Sequence, residues 1–204
     1  MLPVKSKYKI GKRLGAAVFE QCQNQKFALS EARSKNRKER RGRRGGSDYG
    51  RQLIEKQRVR FTYGLSERQL SNYAKTAFAT ADPSSSLHKA LEMRADNVVY
   101  RAGFAPTRRA ARQMVSHGHI KVNDKRITVP SYNARVGDVL SVREGSRSKA
   151  LFGKLNDPDE PGRAKSAWVV LDAELMRAEV VGEPTYSLTE TGIDYPTVFE
   201  FYSR

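Results

Sequence analysis

The chain has one cysteine, three histidines and one tryptophan among its 204 residues. With Cys22 alone, an internal disulfide is impossible and a multi-cysteine zinc site is excluded. So little cysteine fits a reducing compartment, and Cys22 itself reads as a small buried residue before it reads as a nucleophile. Long apolar runs are missing too. Hydrophobic residues make up 38% of the chain and mean hydropathy is −0.67. No stretch reaches the roughly 18 apolar residues of a membrane span, so no membrane partner is expected. The N-terminal residues Met1-Leu2-Pro3-Val4-Lys5-Ser6-Lys7 lack the apolar core of a signal peptide, and the expected location is cytoplasmic.

Signatures of catalysis are also missing. Neither the phosphate-cradling loop G-x-x-x-x-G-K-[ST] nor the nucleophile elbow G-x-S-x-G is present. Asp157, Asp159 and Glu160 follow one another in a Pro/Gly loop, where two carboxylates cannot acquire the distinct environments that acid–base work demands. His117 and His119 share a strand face but lack a nearby third ligand. They read as polar contacts at a helix end or to a nucleic acid. No enzyme activity, cofactor, metal or small-molecule substrate is expected.

What the chain has is positive charge. Its formal net charge is +16, with a pI near 10.1. Residues 1–64 hold 18 Lys and Arg against 5 acids, while residues 65–204 hold 20 against 17. A half so basic repels itself unless a polyanion neutralises it, and nucleic acid is the expected partner. Residues 33–44 concentrate eight cations in twelve positions with Glu39 as the sole acid. Such a run is expected to be disordered alone and ordered on RNA, where each phosphate contact releases counterions. Residues 1–15 read as an extended basic arm, with a frayed tail as the competing reading. Between 172 and 200 the balance reverses to seven acids and one base, so this end is expected to face away from phosphates.

The most informative segment runs from Arg94 to Asn123. Leu87, Leu91, Ala95, Val98 and Ala102 recur at helical spacing, which predicts one helix closed by Gly103. Thr107 caps a second helix whose inward stripe is Ala110, Ala111, Met114 and Val115. Arg108, Arg109 and Arg112 gather near its N-terminal end, where guanidiniums suit bidentate contacts to phosphate; a solvated basic helix is the competing reading. Ile120 and Val122 alternate with Lys121 and Asn123 as a strand, Asn123-Asp124 turns the chain, and further strands follow over 125–129 and 139–142. Upstream, Asp48 is expected to cap a helix to about Tyr63, Ser66 with Gln69 a second, and Ser86 a third. Aromatic residues here read as core, or as platforms for bases. Downstream, Trp168–Asp172 and Arg177–Val181 read as strands, and alternation over 197–202 predicts an extended ending.

The segment 94–143 closely resembles the small RNA-binding module shared by ribosomal protein S-four, some tRNA synthetases, pseudouridine synthases and a heat-shock RNA-binding protein. The stretches Ser47–Arg60 and Tyr63–Gln69 and the ending Val198–Arg204 resemble the bacterial small-subunit S-four family in the same order. The resemblance implies an α+β fold. Its parts are a basic arm (1–46), a helical domain (47–93, with 168–204 packing back on it), an inserted module of two helices on a short antiparallel sheet (94–145), a linker (146–167) and a short β-containing C-terminal tail. Many family members carry a zinc-binding cysteine cluster near the N-terminus; with Cys22 alone the chain resembles the metal-free form.

The implied function is a structural, primary rRNA-binding protein of the small subunit that clamps a helix junction in the 5′ domain early in assembly. The family forms a cleft-like basic surface beside ribosomal proteins S-three and S-five on the side where mRNA enters. It influences decoding accuracy, and some members repress their own operon. The candidate rRNA contacts are Lys9, Lys12, Arg13, Arg33, Arg37, Lys38, Arg40, Arg41, Arg43, Arg44, Tyr49, Arg51, Lys56, Arg58, Arg108, Arg109, Arg112, His117 and Lys121. The rival readings are a free-standing RNA chaperone and an RNA-modifying enzyme built on the same module. The chaperone has no need of the long helical domain. The enzyme needs a catalytic acid in a folded pocket.

Overall fold

A computed structural model describes residues 4, 6–39, 47–149, 152 and 166–203, with the side chains of 34–39 excepted. The helices are α1 (Lys7–Leu14), α2 (Gln25–Glu39), α3 (Asp48–Thr62), α4 (Glu67–Phe78), α5 (Pro83–Glu92), α6 (Ala95–Arg101), α7 (Arg108–Ser116), α8 (Glu144–Arg147), α9 (Leu188–Thr191) and α10 (Tyr195–Tyr202). The strands are β1 (Ile120–Val122), β2 (Lys125–Arg126), β3 (Val139–Val142), β4 (Val169–Asp172) and β5 (Arg177–Val180). The α+β class is as expected. The chain divides into two compact units, residues 1–87 with 187–204, and residues 88–186.

The first unit is helical. Ser47, one residue before the expected cap, accepts the Gly50 N–H at 3.1 Å to start α3. Ser66 and Gln69 form a capping box on α4. Helix α5 starts at Pro83 and not after Ser86. Proline is preorganised for the first helical position, and Asp82 accepts the N–H groups of Ser84 and Ser85. Residues 7–14 are helical where an extended arm was expected. Gly11 and Leu14 fall on one face of α1 and bury against Val18, Phe19, Cys22 and Phe27, which leaves Lys9 and Arg13 exposed. A methyl group on Gly11 would lie 2.8 Å from the Cys22 Sγ, so glycine lets α1 seat. Helix α2 extends to Glu39, so the first half of the basic run is helical. Its Ala, Glu, Lys and Arg residues are good helix formers, and Phe27 anchors its start.

The ending is a helix and not an extended strand. Asp194 caps it through the Thr197 N–H at 3.2 Å, and Pro196 stands in its first turn. Val198 and Phe199 turn inward, with Phe199 edge-on to Phe78 at 4.6 Å between ring centroids.

The second unit packs α6 and α7 on a five-stranded antiparallel sheet in the order β2-β1-β3-β5-β4. The predicted long helix is two helices, because Arg94 adopts an extended conformation and bridges to Asn133. The backbone of this break is saved by Ala95 N–H to Tyr132 O and Ala134 N–H to Met93 O, both 2.8 Å. The predicted stripe still buries fully: Leu87, Leu91, Ala95 and Val98 are 0% exposed. Asn123 and Asp124 take φ of 47° and 64°, the turn that matches the twist of a two-residue hairpin.

The domain boundaries move. Residues 168–204 were expected to return as one piece to the helical domain. Instead β5 pairs with β3, placing Leu140 opposite Ala178, and β4 completes the sheet. Without them β3 would be an open edge, and the buried alternation of Ala178 and Val180 supplies the missing core contacts. Only the chain from Ser187 onward joins the helical unit. In the expected linker, Ser146 and Phe152 are buried, Phe152 in the module's core.

Candidate nucleic-acid interface

Thr107 caps α7 by accepting the Ala110 N–H at 3.1 Å. The helix then buries Ala111, Met114 and Val115. This fixes Arg108, Arg109 and Arg112 at its opening turns, as the sequence predicts. Two of them are also held from below. Glu92, 1% exposed, accepts from Arg101 at 2.6 and 2.9 Å and lies 3.4 Å from Arg108. The Arg108 guanidinium also sits 4.5 Å above the Tyr100 ring. Asp96 accepts two hydrogen bonds from the buried Arg94, at 3.0 and 2.7 Å, and lies 3.7 Å from Arg112. The side chains of Arg108 and Arg112 are 17% and 18% exposed. These cations are therefore braced by buried acids and offer only an edge to solvent; Arg109 is half-buried. Sequence reasoning missed Glu92 and Asp96. Their signal was two carboxylates inside an otherwise apolar helical stripe.

At the other end of α7, His117 is exposed and its ring lies 6.0 Å from that of His119. His119 faces Ser146 Oγ at 2.9 Å. Burial, and then the positive charges of Lys149, His117, Arg143 and Arg126, push its pKa below the ordinary imidazole value. Lys121 lies 3.9 Å from Glu144 and is 26% exposed.

In the helical unit Lys9, Arg13 and Arg33 are exposed, and Lys12 donates to Ser30 Oγ at 2.7 Å. Tyr49 is exposed with its ring 5.8 Å from that of Phe201, and exposed Arg51 reaches Asp48 at 3.5 Å. Two of the candidate contacts are engaged in ties within the fold. Lys56 is 6% exposed, pairs with Glu67 at 2.8 Å and lies 4.2 Å from the Phe201 ring centroid. Glu67 also accepts from Tyr202 at 2.9 Å, so Lys56 helps moor α10. Arg58 donates to Leu14 O at 2.8 Å and Gly192 O at 3.2 Å and pairs with Glu55 at 2.7 Å, tying three segments together. The side chains of Arg37 and Lys38, and residues Arg40, Arg41, Arg43 and Arg44, lie outside the described residues.

A cavity of about 280 Å³ between α1 and α3 is lined by Ile10, Arg13, Leu14, Leu53, Ile54, Gln57 and Phe61. It holds no carboxylate, histidine, cysteine or serine, so it has no acid, base or nucleophile for catalysis. Among the described residues no group of three His, Cys, Asp or Glu side chains is placed to hold a metal, and no helix is long and apolar enough to cross a membrane.

Comparison with known proteins divides the chain at much the same place. Residues 4–93 match the ribosomal protein S4/S9 N-terminal domain and residues 93–140 match the S4 domain. A small ribosomal subunit protein uS4 from Borrelia turicatae is 37% identical over 203 residues, covering 98% of this chain and 96% of the relative. Its counterpart in Roseiflexus sp. (strain RS-1) is 44% identical over 164 residues, 79% of this chain and 80% of the relative. The one in Chloroflexus aurantiacus is 43% identical over the same length.

Proposed function

Since the chain belongs to the uS4 family of small-ribosomal-subunit proteins, we propose that it acts in the cytoplasm as an architectural clamp, holding rRNA helices of the 5′ domain early in assembly. Membership itself makes it a structural, rRNA-binding constituent of the small subunit. Proteins of this family are generally non-enzymatic. The clamp reading rests above all on how the module presents its cations. Buried Glu92 and Asp96 hold Arg108 and Arg112 at the opening of a capped, core-packed helix. Rigid guanidiniums favour phosphate contacts, because little side-chain freedom is lost on binding. RNA helices are read mainly by shape and backbone. Lys9, Lys12, Arg13, Arg33, Tyr49, Arg51, Arg109, His117 and Lys121, with the cations of 37–44, complete the proposed contact set.

By resemblance, the neighbours are ribosomal proteins S-three and S-five, and the site lies near incoming mRNA, with an influence on accuracy. Sedimentation tests the assignment: the protein should remain with small subunits through a high-salt wash. Recovery only in the free-protein fraction would overturn it.

A further inference from the structure

We propose a second phosphate-binding site on the module, at the C-terminal end of α7, where Arg126, Arg143 and Lys149 converge around His117, Gly118 and His119 and receive the phosphodiester backbone of structured RNA. This deepens the architectural reading above and rests on it.

The chain path makes the site. Gly118 has a φ of 69° and ends α7. A Cβ at this position would clash with the Arg126 guanidinium, whose Nη2 donates to the His117 carbonyl at 3.3 Å. Glycine therefore serves twice here, supplying the left-handed turn and letting a guanidinium lie flat on the backbone. The Arg143 N–H donates to the His119 carbonyl at 2.8 Å, which brings the end of β3 beside this turn. His119 is fixed by Ser146 at 2.9 Å and by the edge-on Phe152 ring at 6.4 Å. Lys149 follows α8 after Ser148, its N–H donating to the Ser146 carbonyl at 3.1 Å. Arg126, Arg143, Lys149 and His117 are all exposed.

Pairing separates this end of α7 from the other. Arg94, Arg101, Arg108 and Arg112 meet Glu92 or Asp96. Among the described residues, no acid lies within ion-pair distance of Arg126, Arg143 or Lys149, and the nearby Glu144 is 3.9 Å from Lys121. Like charges gathered without a counter-charge destabilise a fold. A phosphate chain relieves that repulsion and releases counterions. Burial first, and then these same cations, push the pKa of His119 down, which agrees with their closeness to this turn. Helix α7 has nine residues, so its two ends lie about 14 Å apart at 1.5 Å per residue, and an RNA strand crossing the module can touch both.

The test uses the full chain and a transcript of the small-subunit rRNA 5′ domain, with affinity measured across salt. A variant carrying Arg126→Gln, Arg143→Gln and Lys149→Gln should lose about 2 to 3 units of the slope of log affinity against log salt, at roughly 0.7–0.9 per phosphate contact. Extrapolated from 1 M, this is a loss of roughly a hundredfold at 0.15 M salt. A variant with the same charge change elsewhere, Arg68→Gln, Lys75→Gln and Arg135→Gln, should keep the parent slope. On the unmodified protein, rRNA should shield Lys149 from acetylation, a readout that does not depend on a variant folding. An unchanged slope with equally reactive Lys149 would overturn the site, as would equal losses in both variants. A parent chain whose rRNA binding ignores salt would refute the architectural reading, and this site with it.

Discussion

Replacing Glu92 by Gln removes one charge and almost no volume from the second unit. The carboxylate is 1% exposed, receives Arg101 at 2.6 and 2.9 Å, and stands 3.4 Å from Arg108. Glutamine keeps one acceptor oxygen but leaves two guanidiniums without their counter-charge. Removing one partner of a fully buried ion pair costs about 3–5 kcal/mol. Arg101 and Arg108 are 26% and 17% exposed and can recover part of their hydration, so we expect about 2–3 kcal/mol. With a urea slope of about 1–2 kcal/mol/M for a unit of this size, the midpoint should fall by about 1–3 M.

Trp168 is the chain's one tryptophan and packs on the core of this unit, so its fluorescence reports the transition. Glu183→Gln is the control. Lys89 and Glu183 are also 2.6 Å apart, but their side chains are 48% and 55% exposed, so this pair is worth less than about 1 kcal/mol. If Glu92→Gln shifts the midpoint no further than Glu183→Gln does, the bracing of Arg101 and Arg108 is not electrostatic and the reasoning fails.

Acid should weaken the mooring of α10. Burial raises the Glu67 pKa, but hydrogen bonds from Lys56 and Tyr202 with the charges of Lys56 and Arg60 outweigh it and hold it below the ordinary 4.5. The stabilisation is therefore present above pH 4.5 and lost as pH falls through the folded-state value, and Glu67→Gln should flatten the acid limb of a far-ultraviolet circular dichroism titration. Burial raises the pKa of the Cys22 thiol, so it should react with a disulfide reagent only as fast as the N-terminal helices open. Fast modification in native buffer would contradict the packing. Gly11→Ala should destabilise the same core by about 1–3 kcal/mol through overpacking, read by hydrogen exchange of the α1 amides. Elemental analysis of purified protein should find no stoichiometric zinc, and Cys22→Ser should bind rRNA almost normally.

Helix α7 was legible because its local signals agreed: the Thr107 cap and the inward stripe. Helix α1 was not, because its three lysines hid a narrow inward face of Gly11 and Leu14. The final helix was misread since Val198, Phe199 and Phe201 are too few to separate one period from another; Asp194 and Pro196 settle it. Among the candidate contacts, residue type identified cations but not their partners. Lys56 and Glu67 are eleven residues apart, as Arg108 and Glu92 are sixteen apart.

By itself, then, the sequence determined composition-level properties and local geometry. These are a polyanion partner from the uneven charge, helix starts and stops from caps and glycines, and family membership from ordered stretches along most of the chain. Pairing between distant segments was decided only in the tertiary structure. There β4 and β5 close the open edge of β3, α10 seats on α3, Glu67 takes up the buried Lys56 and the buried Glu92 takes up Arg108, while Arg126, Arg143 and Lys149 meet no acid among the described residues. The physical reason is range. Caps and periodicity act within a turn or two of chain, whereas burial and ion pairing depend on which surfaces meet once the chain has folded.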